Sequence, residues 1–283
     1  MANILYGADV AKAINERSLQ GIEECKEKGV TPTLAILRVG QRDDDLSYER
    51  GVTKRCDTLG VQVKKVVLNQ DVAYNEFYET LDQLNKDNDV HGILMFRPLP
   101  KYLDNEKARK TLNPAKDVDG CTDGSLAGVF TNTPIGFAPC TAQAAIEILD
   151  FYGIDLKGKN VVVLGRSLVV GKPVSMLLLN RNATVTVCHT KTVNTKEITK
   201  KADIIIACTG QMESLDASYF SENQTIIDVG INWNNQKQKL CGDVLFENVV
   251  DLVENITPVP RGVGSVTTSI LVNHVVEACK RAI

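Results

Sequence analysis

The residues with the clearest chemical meaning lie in the stretch 160–172, NVVVLGRSLVVGK. A β-branched run ends at Gly165, Arg166 and Ser167 follow, and Gly171 opens an apolar segment reaching Leu179. Strand, tight turn and helix N-terminus in that order bring backbone N–H groups to where a pyrophosphate can be held. The G-x-G-x-x-G spacing is absent, and two glycines six apart also fit an ordinary strand–helix turn of an α/β protein. The end of the next strand adds discrimination. NAD-binding units place an Asp or Glu there for the ribose 2′-OH, whereas this chain reads Cys188-His189-Thr190-Lys191-Thr192. With no carboxylate and with Arg166, Ser167, His189, Thr190 and Lys191 as donors, the pattern favours a 2′-phosphate, hence NADP. Thr209-Gly210 and Gly230-Ile231 follow two later strands, at the sheet edge where open α/β sheets take their ligands.

The elements that must position this turn are read from apolar periodicity. Val10, Ala13, Ile14, Leu19 and Ile22 predict an amphipathic helix over 8–28. A buried strand over 33–39 follows, then a helix over 47–60 with Ser47 as N-cap and Gly60 just past its end. A strand over 61–68, a helix over 74–88 and a strand over 91–96, stopped by Pro98 and Pro100, come next. Residues 113–139, rich in Gly and Pro, read as a connection between domains. A helix over 141–152 leads into strands at 160–164, 184–189, 203–208 and 225–229. A last helix over 265–281 turns Val266, Ile270, Val272 and Val276 inward. The alternation predicts an α/β fold of two domains, each on a mainly parallel sheet, the second a Rossmann-like NADP-binding domain.

The chain has 283 residues, 43% hydrophobic and 24% charged, with a net charge of −3. That suits a soluble, cytoplasmic globular protein, and without a basic run or a bilayer-length apolar stretch it points to neither nucleic acid nor membrane. The eight cysteines are dispersed with no C-x-x-C, so reduced thiols are expected and no metal site.

The motifs GRSLVVGKP, ATVTVCHT, IIDVGIN and ITPVP-x-GVG stand in this order, with LAILRVG, GIL-x-x-x-PLP, P-x-KDVDG, PCT and GDV around them. On these residues the chain resembles the methylenetetrahydrofolate dehydrogenase/cyclohydrolase family over essentially its whole length. The resemblance implies a homodimer acting in one-carbon metabolism and purine biosynthesis, with tetrahydrofolate derivatives in a cleft between the domains. It implies a folate-binding catalytic domain at 1–139, rejoined by the C-terminal helix 265–283, and an NADP-binding domain at 140–264. The implied chemistry is oxidation of 5,10-methylenetetrahydrofolate to the methenyl cation, then hydration to 10-formyltetrahydrofolate. Tyr48 matches the family's folate-packing tyrosine, Asp119 its pterin-binding carboxylate, and Pro98 and Leu99 belong to its PLP motif. Outside the motif, Asp119 reads simply as a turn residue before Gly120.

Two departures fall on the hydration step. The family's catalytic lysine, four residues after the tyrosine, is Val52 here, and the assisting glutamine is Phe96, followed by Arg97 where leucine is usual. Hydrating an amidinium-like cation needs a group that manages the proton of the attacking water, and valine has none. Lys54 lies about 120° around the helix from Tyr48, so it is expected to face solvent. Hydride transfer instead needs alignment of the two carbons at about 3–3.5 Å, which no side chain lost here supplies. The expectation is a dehydrogenase with weak or absent cyclohydrolase activity, with a separate cyclohydrolase as a possible partner on its product. The alternatives are the full bifunctional enzyme and a non-catalytic folate- or nucleotide-binding protein. Arg261, in PRGVG where the family reads PGGVG, is expected to face solvent, and His91 and His274 are read as structural.

Overall fold

The computed structural model describes residues 2–283, which form two compact units: residues 13–140 with 268–283, and residues 2–12 with 141–267. In chain order the elements are β1 (Asn3–Ile4), α1 (Gly7–Glu27), β2 (Thr33–Val39), α2 (Asp43–Leu59) and β3 (Gln62–Leu68). Then come α3 (Tyr74–Lys86), β4 (Gly92–Met95), α4 (Asn105–Thr111), α5 (Asp123–Thr131) and α6 (Cys140–Phe151). β5 (Asn160–Leu164), α7 (Gly171–Asn180), β6 (Thr184–Cys188), α8 (Thr195–Thr199), β7 (Ile204–Ala207) and β8 (Thr225–Asp228) follow. The chain ends with β9 (Asn232–Asn234), β10 (Lys239–Cys241), α9 (Phe246–Val249), β11 (Asn255–Ile256) and α10 (Thr267–Ala282).

The unit of residues 13–140 and 268–283 is built on a three-stranded parallel sheet in the order β3-β2-β4. Every residue of β2 is buried, as expected of a central parallel strand covered on both faces. Ala35, Leu37, Phe77, Leu81, Ile93 and Leu112 lie in one core cluster of this unit. α2 starts at Asp43, four residues before the predicted cap, and Ser47 lies inside it. Three acids in its first turn, Asp43, Asp44 and Asp45, complement the dipole and offset the missing side-chain cap. Gly60 ends the helix in the left-handed region, as the sequence indicated.

The stretch 113–139 is more than a connection, because it carries α5. Thr122 caps that helix by accepting from the Ser125 N–H, and Asn132 closes it in the left-handed conformation. Gly124 and Gly128 mask the helical pattern in the sequence. Gly128 is needed, since a Cβ there would sit 2.1 Å from the Ile135 carbonyl oxygen of the returning chain.

The other unit holds a six-stranded parallel sheet in the order β1-β11-β8-β7-β5-β6. The reversal of strand order beside β5 makes a topological switch point. Residues 2–12 belong here and not with 13–140, which corrects the expected boundary: β1 pairs in parallel with β11 through Asn3–Asn255 and Ile4–Ile256. The antiparallel hairpin β9–β10 was not foreseen. Among the described residues no helix is long and apolar enough to cross a membrane, and all eight cysteines are free thiols.

Candidate active site

In the unit of residues 13–140, α2 places Tyr48 and Val52 one turn apart. The Tyr48 ring meets Phe96 edge-on, with centroids 5.9 Å apart. Val52 is fully buried and Phe96 is 8% exposed, so the positions of both departures are filled by packed hydrocarbon. Lys54 is exposed, on the side of the helix its spacing predicted. α2 is anchored through Glu49: its carboxylate accepts from Arg38 Nε at 2.8 Å and pairs with Lys65 Nζ at 3.0 Å. Burial pushes Glu49 up, but the hydrogen bonds from Arg38 and Lys65 hold it below the usual carboxylate range.

Asp119 stands in a turn that its neighbour Asp117 fixes. The fully buried Asp117 carboxylate accepts from Cys121 N at 3.0 Å, Thr122 N at 2.7 Å and Ser125 Oγ at 2.6 Å. Asp119 itself is pushed up to about 6 by burial and by the Asp117 charge, against the pull of the Arg97 guanidinium and a hydrogen bond from the Cys140 thiol. Burial, helped by Asp119, drives the Tyr48 hydroxyl well above its ordinary range, and does the same to the Cys140 thiol. Tyr48 therefore keeps its proton, while Asp119 is ionised above about pH 6 and can accept N–H donors of a planar heterocycle.

Leu99 is buried, with its N–H on Asn105 Oδ1 at 3.2 Å; Pro98 is exposed, and its carbonyl accepts from Arg42 at 3.3 Å. His274, lowered to about 4 by burial, is neutral and donates from Nδ1 to the Val118 carbonyl at 2.9 Å. His91 accepts the Thr33 N–H at 3.1 Å. Both histidines tie backbone together.

In the other unit, a cavity of about 490 Å³ opens at the C-terminal ends of β5, β6 and β7. Gly165, Arg166, Ser167, His189, Thr190 and Thr209 line it, as do Thr192, Gln211 and Tyr219, and among the described residues no acidic side chain does. Gly165 has φ +136°, and a Cβ there would lie 2.3 Å from the Cys208 carbonyl oxygen. A Cβ on Gly171 would lie 2.3 Å from the Gly165 oxygen. The two glycines thus touch: α7 begins directly against the turn, and any side chain would push its N-terminus away. Ser167 Oγ accepts the Val170 N–H at 3.1 Å, so the turn leading into the helix is pinned. Lys191 N donates to His189 Nδ1 at 3.1 Å, leaving Nε2 as the proton-bearing nitrogen free for a ligand. Lys191 is exposed and is not among the residues lining the cavity.

Four of the expected coenzyme residues stand behind or beside the cavity wall rather than on it. Gly171 packs on the turn, Gly210 (φ +67°) donates its N–H to Asp243 at 2.9 Å, Gly230 packs against Asp243, and Ile231 is 60% exposed. Arg261 is exposed, with its guanidinium 5.6 Å from the Tyr6 ring centroid and φ +80°. Sequence reasoning gave no role to Cys140, Asp117 or Asp243, although PCT, KDVDG and GDV carry them.

Residues 5–119 match the catalytic-domain model, and residues 139–283 the NAD(P)-binding-domain model, of tetrahydrofolate dehydrogenase/cyclohydrolase. The chain belongs to this family. The "Bifunctional protein FolD" of Clostridium botulinum (strain Okra / Type B1) is 48% identical over 281 residues, 99% of each chain. A crystal structure of the bifunctional enzyme FolD from Campylobacter jejuni superposes with a TM-score of 0.96 at 34% identity, covering 100% of both chains. The Trypanosoma brucei methylenetetrahydrofolate dehydrogenase-cyclohydrolase, in complex with NADP and inhibitor, gives 0.91 at 32% identity, covering 99% of this chain and 98% of that one. Tyr48 and Asp119 fall within the catalytic-domain match, and the glycine-turn cavity falls within the NAD(P)-binding-domain match.

Proposed function

We propose that this family member oxidises 5,10-methylenetetrahydrofolate to 5,10-methenyltetrahydrofolate with NADP+, in the one-carbon metabolism that serves purine biosynthesis. The observation that carries the proposal is the cavity that gathers Gly165, Arg166, Ser167, His189 and Thr190 without an acidic side chain. Its donors suit a phosphorylated ribose, and the relative from Trypanosoma brucei binds NADP in its crystal. When bound, the coenzyme supplies the hydride acceptor. The chain supplies the rest: the turn at Gly165 and the N-terminus of α7 hold a pyrophosphate, and Arg166, His189 Nε2 and Thr190 hold the 2′-phosphate. Asp119 accepts the pterin's N–H groups, and Tyr48, Pro98 and Leu99 form the apolar wall against it. Equilibrium binding tests the coenzyme half: NADP+ should bind at least about tenfold more tightly than NAD+, and equal affinities would overturn it.

A second reading adds hydration of the methenyl product to 10-formyltetrahydrofolate. Family membership favours it, because relatives such as that of Clostridium botulinum are named bifunctional. The same names speak against a separate cyclohydrolase partner. The specific observation on the other side is local. Val52 and Phe96 are buried hydrocarbon where a proton-managing pair is needed, which predicts a weak second activity. Decay of methenyltetrahydrofolate in the presence of the purified protein decides between the two. The same reading makes the working enzyme a homodimer in the cytoplasm, and sedimentation of the purified chain tests the dimer.

A further inference from the structure

Behind the wall of the coenzyme cavity lies a pair of buried carboxylates that the proposed chemistry does not use. Asp243 is fully buried and Asp228 is 3% exposed. Asp243 Oδ2 accepts two backbone N–H groups, from Thr209 at 2.6 Å and Gly210 at 2.9 Å, and Oδ1 accepts from Asn232 Nδ2 at 3.1 Å. Asp228 in turn holds the segment that carries Asp243. Its Oδ1 accepts from Gly230 N at 3.0 Å and Asp243 N at 3.1 Å, and its Oδ2 from Val244 N at 2.9 Å. The space is made to fit: a Cβ on Gly230 would stand 2.3 Å from Asp243 Oδ1, and one on Gly242 would stand 1.9 Å from Asp228 Oδ2.

Segments 209–210 and 230–232 come after β7 and β8 at the ligand-binding edge of the six-stranded sheet, 242–244 follows β10 of the separate hairpin, and Thr209 lines the cavity. We infer that Asp243 is a positioning residue for the coenzyme: it fixes the Thr209–Gly210 turn as one wall of the cavity, with Asp228 as its own support. The inference rests on the reading of the cavity as the coenzyme site. The physical reason is that two N–H groups at successive positions converge on one oxygen only when the turn adopts a single conformation. A buried carboxylate makes these bonds charge-assisted and so roughly twice as strong as neutral ones. Without the acceptor, both N–H groups are buried and unpaired, and the turn relaxes to find other partners.

The test is steady-state kinetics with NADP+ and methylenetetrahydrofolate varied separately, together with direct NADP+ binding, on wild type, Asp243→Ala, Asp243→Asn and Asn232→Ala. Asp243→Ala should raise both KM and Kd for NADP+ about tenfold or more, with KM for the folate and kcat at saturating coenzyme changed much less. Asp243→Asn should restore most of the affinity, since its amide oxygen can still accept from Thr209 and Gly210 if Asn232 flips to meet its amide. Asn232→Ala, which removes the Nδ2 bonds to Asp243 Oδ1 and to the Gly242 carbonyl but leaves those from Thr209 and Gly210 in place, should give a smaller shift in the same direction and keeps the inference testable if Asp243→Ala does not fold. Failure of wild type to bind NADP+ would overturn the coenzyme reading itself. Normal wild-type binding with unchanged affinity in the variants, or with kcat and both KM values moving together, would overturn the positioning role alone.

Discussion

Replacing Val52 by lysine together with Phe96 by glutamine should create or strongly raise methenyl hydration. Val52 is fully buried one helical turn from Tyr48, and the Phe96 ring lies edge-on to Tyr48 at 5.9 Å. A lysine at 52 brings an ammonium into the space beside Tyr48. Burial there lowers its pKa toward the operating range while the Asp119 carboxylate opposes the shift. Exchanging the ring at 96 for an amide frees volume for that side chain and adds a hydrogen-bonding partner for it. A correctly placed proton-transfer group contributes about 10²–10⁴-fold, so the double variant should hydrate methenyltetrahydrofolate by that factor faster than wild type, and Val52→Lys alone by less. The assay is the loss of methenyl absorbance in a weakly basic buffer, corrected for the uncatalysed decay, with Val52→Met as a volume control. A melting curve for each variant checks the fold, because overpacking alone costs about 1–3 kcal/mol. The reasoning is refuted if wild type hydrates the methenyl compound as fast as it forms it and lysine at 52 adds nothing. The bifunctional reading then stands with a different water-activating group.

Further outcomes are expected at three residues. Arg166→Ala should raise KM for NADP+ by about tenfold, a loss of roughly 1.4 kcal/mol, while leaving the weaker use of NAD+ almost unchanged; parallel loss with both coenzymes would remove Arg166 from the 2′-phosphate site. Asp119, raised from 3.8 to about 6, must be ionised to accept pterin N–H groups, so kcat/KM for the folate should fall as pH drops through about 6 and level off above neutrality. Because its folded pKa lies above the unfolded value, the stability tied to its protonated form is lost as pH rises through about 6, and Asp119→Asn should abolish that loss in melting curves. Asp117→Ala leaves Cys121 N, Thr122 N and Ser125 Oγ without their buried acceptor, and should cost about 2–5 kcal/mol in denaturant unfolding; a cost under about 0.5 kcal/mol, the size of an ordinary surface change, would contradict its role in holding the Asp119 turn.

The cavity turn was legible in the sequence because local rules govern it. A β-branched run, a glycine turn and the absence of an acid after the next strand each act over a few residues; of the positions they named, Gly165, Arg166, Ser167, His189 and Thr190 line one cavity, while Gly171 and Lys191 do not. The α2 start was missed because three successive acids can open a helix without a capping side chain. α5 was missed because Gly124 and Gly128, kept for close approach, weaken its pattern. β1 and β11 are two-residue strands paired across some 250 positions, and no local signal marks such a partner. Asp243 was silent for the same reason: its bonds reach backbone groups 33 and 34 residues away. Motif GDV marked the residue, and only the fold tells what it holds.

The most direct test of the account is the initial rate of nicotinamide reduction when the purified protein meets methylenetetrahydrofolate with NADP+ or with NAD+. The account predicts rapid reduction of NADP+ and a kcat/KM at least about tenfold lower with NAD+. No reduction of either coenzyme, in a protein that still binds NADP+ and folate, would contradict it and leave a binding protein in place of an enzyme.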